Sequence, residues 1–246
     1  MSLTTIELIM GIFNFMVMLV YVIVGLRIAS KYIKYRQKTL IYAGVAWSSI
    51  GTVFLGFSIN FIYYLFTGKL VSEVLVWILT SCFVPVGLTF IYFLLADLKV
   101  NIQGFKRLIQ LYSIITNIIF EIYLIYAYIT DISLVGISIG AFDGVWQGIS
   151  ALWLLYAMIS VVIIVLIIGI DAIKSTNAEV KLKGKFLIIA VVVFLLASIL
   201  DLNYLRLTDN PYIAGLAKLF MIISGLLFYC GYILPIWIKN LFIEKE

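Results

Sequence analysis

The residues most able to do chemistry in this chain are few and sit in apolar surroundings. Lys218 lies in "GLAKLFMIISG" (215–225), and Asp201, Asn203, Glu121, Glu73, Asn60 and Asn14 fall in comparably hydrophobic runs. A charged side chain in hydrocarbon costs ~2.5 kcal/mol or more on insertion scales, and it marks a pathway, a counter-ion or a ligand. A lysine and an aspartate at similar depth on neighbouring helices relieve that cost by pairing. Asp201 and Lys218 are expected to pair in this way. The carboxylates and amides at the same level would line a polar vestibule for a small or lipid-like ligand.

The chemistry excluded is equally clear. The chain has no histidine, which removes His-dependent hydrolases, proton relays and autophosphorylation. Cys82 and Cys230 each fall inside an apolar run and read as small core residues. No catalytic constellation, cofactor motif or metal-ligand spacing is expected, and no enzyme activity or nucleic-acid partner.

The elements that hold these residues follow from composition. Of 246 residues, 65% are hydrophobic and 12% charged, with mean hydropathy +1.19, which describes a polytopic membrane protein. A spanning helix needs ~20 apolar residues. Seven such runs are expected, at about 6–30, 40–66, 70–97, 106–129, 146–173, 184–205 and 212–237. The fold class is thus an all-α membrane protein, a single seven-transmembrane-helix bundle over 1–246. The longest connection, 130–144, leaves no room for a soluble catalytic domain. The N-terminus, "MSLTTIELIMGIF", lacks a basic region and a cleavage site and reads as a retained first helix.

Charge asymmetry orients the bundle. Fourteen of the 17 Lys and Arg residues lie beside the connections after spans 1, 3 and 5 or in the tail. Lys69, Arg206 and Lys218 are the exceptions. The positive-inside rule then puts the N-terminus outside and the C-terminus in the cytoplasm of a multi-pass cell-membrane protein. On this orientation, Asn14, Asn60, Glu73, Glu121, Gln147, Asp201, Asn203 and Lys218 all belong to the outer half. Tyr63, Tyr64, Tyr123, Tyr126, Tyr128, Trp146 and Tyr204 lie at the same level, where an interfacial aromatic belt is the plain reading.

Local signals refine the ends. Asp209-Asn210-Pro211 caps span 7 with proline at its first position. Thr176 with Glu179 fits a capping box that starts span 6 at about 177. That helix would run roughly 43 Å at 1.5 Å per residue, so "VKLKGK" would protrude, as an anionic-headgroup anchor or a lever toward a cytoplasmic partner. Pro85 and Pro235 are expected to kink spans 3 and 7. Small-residue spacings such as Gly51…Gly56 and Gly225…Gly231 permit close helix approach.

Three resemblances bear on function. Seven helices with a lysine in the last one resemble the microbial rhodopsins, which would make Lys218 a retinal Schiff base. The family's aspartate one turn earlier is Ala214 here, and span 3 lacks its Arg…Asp-Trp segment. The topology also resembles rhodopsin-like G-protein-coupled receptors, but "LLADLKV" replaces Asp-Arg-Tyr and "NPYIAG" lies at the wrong end. "KLKGKFLIIAVVVF", "FVPVGLTFIYFLLADL" and "YILPIWIKNLF" resemble stand-alone seven-helix archaeal proteins. More distantly, they are similar to the seven-helix sensor region of prokaryotic histidine kinases.

That resemblance implies a receptor or sensor whose output is a separate protein reached through the basic loops. The expectation is therefore a sensor-like membrane protein, surrounded by lipid, with ligand at Lys218, Asp201, Glu121, Glu73, Asn60, Asn14 and Asn203. The alternative is a transporter of two three-helix repeats about a linker helix.

Overall fold

A computed structural model describes residues 3–201 and 211–243. Ten helices dominate it: α1 (Thr5–Tyr35), α2 (Lys38–Thr52), α3 (Leu55–Thr67), α4 (Glu73–Ser81), α5 (Val84–Lys99), α6 (Gln103–Thr130), α7 (Gly148–Ile173), α8 (Ala178–Asp201), α9 (Pro211–Ile233) and α10 (Ile236–Phe242). A 3-10 turn (Ile132–Leu134) and the strands β1 (Gly136–Gly140) and β2 (Asp143–Trp146) lie between α6 and α7. Six spans are long and apolar enough to cross a membrane, α4 and α5 together making one of them. The pair α2–α3, bent by 54°, makes a seventh if its halves count as one span. This is a helical, multi-pass membrane architecture.

Helix ends follow local chemistry. The Thr4 hydroxyl accepts from the Glu7 N–H while Glu7 accepts from the Thr4 N–H, a capping box that opens α1. α8 begins before its lysines, as expected, but its cap is Asn177 and not Thr176. The Asn177 side-chain Oδ1 accepts from Glu179 N at 2.9 Å and Val180 N at 3.3 Å. Asn177 stands directly before the helix, where its side-chain oxygen can reach the free N–H groups.

Three expected spans are interrupted. The second breaks at Val53–Phe54, and the third breaks at Cys82–Phe83 so that Pro85 stands in the first turn of α5. There its missing N–H costs nothing. The seventh ends at Ile233, where Leu234 takes a left-handed φ of 46° and Pro235 precedes α10. Pro235 thus terminates α9 instead of kinking it, and α10 leaves Ile236 and Trp237 exposed, the habit of an interfacial segment.

Packing arranges the long helices as a ring in the order α1, α2, α5, α7, α8, α9, closed by α9 against α1. α6 packs against α5, and α3 packs against α1 and α4. The core is aromatic. Trp47, fully buried, lies over Phe228 with ring centroids 3.6 Å apart, and Tyr21 packs beside it. Outward faces are apolar: on α6, Ile115, Ile118, Ile119 and Ile122 are all exposed, as a lipid-facing surface requires.

The 130–144 connection is built into the fold. β1 and β2 pair antiparallel, Gly136 opposite Trp146, and Val135 and Phe142 are buried. α7 therefore starts at Gly148, and Gln147 is the residue before it, donating its N–H to Val135 O. A Cβ at Gly136 would meet the Trp77 ring, and one at Gly144 would lie 2.8 Å from it. Only glycines let the hairpin settle onto Trp77.

Candidate functional site

Lys218 reaches into the ring from the second turn of α9, and Asp201 ends the described part of α8. Lys218 Nζ donates to both carboxylate oxygens of Asp201, at 2.7 and 2.8 Å, and lies 4.6 Å from the centroid of the Phe54 ring. The lysine side chain is 3% exposed and the aspartate 24%. The pair expected from depth is present. The break between α2 and α3 turns Phe54 toward the ammonium, giving a cation–π contact that an unbroken helix would not supply.

The pair forms one corner of a cavity of about 500 Å³. Asp143 lies near enough to feel both charges, Asn14 holds the carbonyl of its neighbour Phe142, Ser198 precedes Asp201 by one turn of α8, and Tyr21 and Trp146 also line the cavity. The rest of the wall is hydrocarbon and aromatic: Ile50, Val53 and Phe54 at the α2–α3 break, Leu152, Leu155 and Met158 of α7, Phe194 of α8 and Met221 of α9. The expected polar vestibule is thus a mostly apolar chamber with a polar end. That is the usual composition and size of a small-molecule site.

The candidate residues divide into two groups. Asn14, Asp201 and Lys218 line the cavity. Asn60 and Glu73 hold the hairpin. Asn60 donates to Ala141 O at 2.7 Å and accepts from Val71 N at 2.7 Å, while Glu73 accepts from Ser138 N at 3.0 Å. Asn14 serves both purposes, because its amide donates to Phe142 O at 2.6 Å. Glu121 is not part of the cavity wall; its half-buried carboxyl on α6 lies near Cys82 and Tyr128. Asn203, with Arg206 and Tyr204, lies outside the described residues.

Asp143 is the residue that the sequence reading missed. It enters the corner from β2, where its own Gly144 N–H donates to one carboxylate oxygen at 2.9 Å. Burial raises its pKa above the ordinary value of 3.8, the Lys218 ammonium lowers it, and the Asp201 carboxylate raises it again. Its sequence signal was faint. "GISIGAFDGVW" alternates like a strand between glycines, yet it reads as a loop when the flanks are spans.

A second polar cluster lies toward the lysine-rich end. Tyr156 OH is 2.9 Å from Tyr92 OH and 3.2 Å from Tyr112 OH, and Tyr92 OH is 3.1 Å from Ser160 Oγ. Three hydroxyl-bearing rings from α5, α6 and α7 satisfy one another there. At that end Lys106 pairs with Asp97 at 2.5 Å, Lys99 pairs with Asp171, and Glu179 ties Lys183 and Lys239 to α8 and α10.

No protein-family model, no curated protein and no solved structure matches the chain.

Proposed function

We propose that this chain is a receptor- or sensor-like membrane protein that binds a lipid-like, amphipathic small molecule and signals to a separate cytoplasmic partner. The observation that carries the reading is the cavity: about 500 Å³, apolar along most of its wall, with Lys218 paired to Asp201, Asp143 close to both and Asn14 bonded to Phe142 beside it. By the positive-inside rule, the charge asymmetry of the connections supports the end that holds this pair lying outside and the lysine-rich end in the cytoplasm.

Occupancy would bear on α8 and α9 together, because their two charged residues meet only in the corner and the helices pack along their length. The far end of α8 carries Glu179 and Lys183, and Glu179 also pairs with Lys239 of α10, a cluster placed to change what a partner meets when α8 and α9 shift. A ligand moves such an equilibrium only by its difference in affinity for the two arrangements.

The test is to purify the chain in mild detergent, extract it with solvent and identify co-purifying amphiphiles by mass spectrometry. Wild type should carry one that Leu155→Trp, which fills the chamber, does not. Identical extracts from both proteins would refute a binding role for the cavity. Substrate-dependent flux in proteoliposomes would make the protein a transporter instead. Visible absorbance after adding retinal, abolished by borohydride, would make it a retinal protein.

A further inference from the structure

The chemistry of the polar corner narrows the ligand's head group. Among the described residues it holds two carboxylates and one ammonium, and the ammonium is already bound by both oxygens of Asp201. Asp143 has one oxygen on the neighbouring Gly144 N–H, and its other oxygen has no hydrogen bond among the described residues. Asn14 is 1% exposed; its amide nitrogen is used by Phe142 O and its Oδ1 is buried with no partner. Beside the paired Lys218, the second Asp143 oxygen and Asn14 Oδ1 are thus acceptors without a donor among the described residues. A buried acceptor left unpaired costs about 1–3 kcal/mol, so native structures rarely leave one without a reason.

The tail is defined by the wall. A smaller cavity of about 80 Å³ shares Ile50, Val53, Leu154, Met158 and Phe194 with the large one and continues the apolar lining to Val161. From Ala151 to Val161 the α7 wall extends roughly 15 Å at 1.5 Å per residue, the length of an alkyl chain of about a dozen carbons. Leu152 and Leu155 line the chamber and are themselves 68% and 40% exposed.

We infer that the cavity is a site for a long-chain amine, its ammonium between Asp143 and Asn14 Oδ1 and its alkyl tail running along α7 toward Val161. The inference rests on the receptor reading above and adds the chemical class of the ligand. An ammonium brings up to three donors and the second positive charge that would balance the two carboxylates against Lys218. A carboxylate head would bring more acceptors and a third negative charge. A hydroxyl could hydrogen-bond to Asn14 or Ser198 but would leave the charge of Asp143 uncompensated.

The test compares dodecylamine, dodecanol and dodecanoate in a thermal-shift titration of the full chain in detergent near pH 7.5. The amine should bind at least tenfold more tightly than the alcohol, and the acid should give no shift. Asp143→Asn should weaken the amine about tenfold and leave the alcohol unchanged. Should that variant not fold, the ranking of the three heads on wild type decides alone. Alcohol or acid binding as tightly as the amine would overturn the amine assignment while leaving a ligand-binding cavity. Failure of all three, with Leu155→Trp indistinguishable from wild type, would overturn the assignment and the receptor reading together.

Discussion

The Lys218–Asp201 pair offers the sharpest quantitative test. Replacing Lys218 by Met removes two charge-assisted hydrogen bonds, at 2.7 and 2.8 Å, and leaves Asp201 and Asp143 facing one apolar chamber without a cation among the described residues. Breaking a buried pair costs ~3–5 kcal/mol. Asp201 is 24% exposed and keeps some hydration, so the lower end applies, about 3 kcal/mol. For a chain of this size that corresponds to a Tm about 6–12 °C lower. Asp201→Leu should be milder, about 1–2 kcal/mol, because Lys218 keeps Asp143 and the Phe54 ring. The double variant Lys218→Met/Asp201→Leu should lie within about 1 kcal/mol of wild type, as apolar replacements of buried pairs often do. Adding Asp143→Asn to Lys218→Met should restore part of the loss by removing the like charge. The assay is thermal denaturation in detergent followed by tryptophan fluorescence. If Lys218→Met moves Tm by less than about 2 °C, or if the double variant loses the sum of the singles, the two groups are not energetically coupled and the reasoning fails.

Three further outcomes follow from the hairpin and its aspartate. Asn60→Leu orphans Ala141 O and Val71 N, at about 1–3 kcal/mol for each buried group, and should speed amide exchange across 136–146 well before the helices respond; unchanged exchange there would disprove the clamp. Gly136→Ala puts a methyl into the Trp77 ring and should cost about 1–3 kcal/mol with a shift in tryptophan emission, whereas a neutral result would show that the hairpin does not rest on Trp77. Because the folded state raises the pKa of Asp143, its contribution to stability is full below 3.8 and is lost as pH rises through the raised value. Amine binding should strengthen over that same interval, since the carboxylate is the form that holds the ammonium, and Asp143→Asn should flatten both profiles in a melting-temperature titration against pH.

Much of the bundle was legible before any coordinates. Uninterrupted apolar runs longer than a bilayer is thick have one economical fold, because every backbone polar group must be satisfied within its own segment. The same lengths and the short turn between spans 6 and 7 set Asp201 and Lys218 at equal depth, and pairing follows from the cost of leaving either charge alone. Helix rotation was not legible. Glu121 and Asn14 have similar hydrophobic neighbours in sequence, yet one lies on the α6 side near Cys82 and the other lines the chamber. The break at Val53–Phe54 was also hidden, and that at Leu234 was legible only as a kink. The first has no proline at it, and at the second Pro235 pointed to a kink but not to the left-handed Leu234 that ends α9.

By itself, then, the amino-acid order determined the membrane-spanning helices, their order and the charges that must neutralise one another. Hydropathy and chain geometry act within each segment, so those conclusions need no knowledge of neighbours. Only the tertiary structure decided that 136–146 folds inward as a hairpin on Trp77, that Asn60 and Glu73 hold it there, and that Asp143 joins Lys218 at the end of an apolar chamber. Those features depend on contacts between segments far apart in sequence, such as Asn14 with Phe142 and Glu73 with Ser138, which no local pattern encodes.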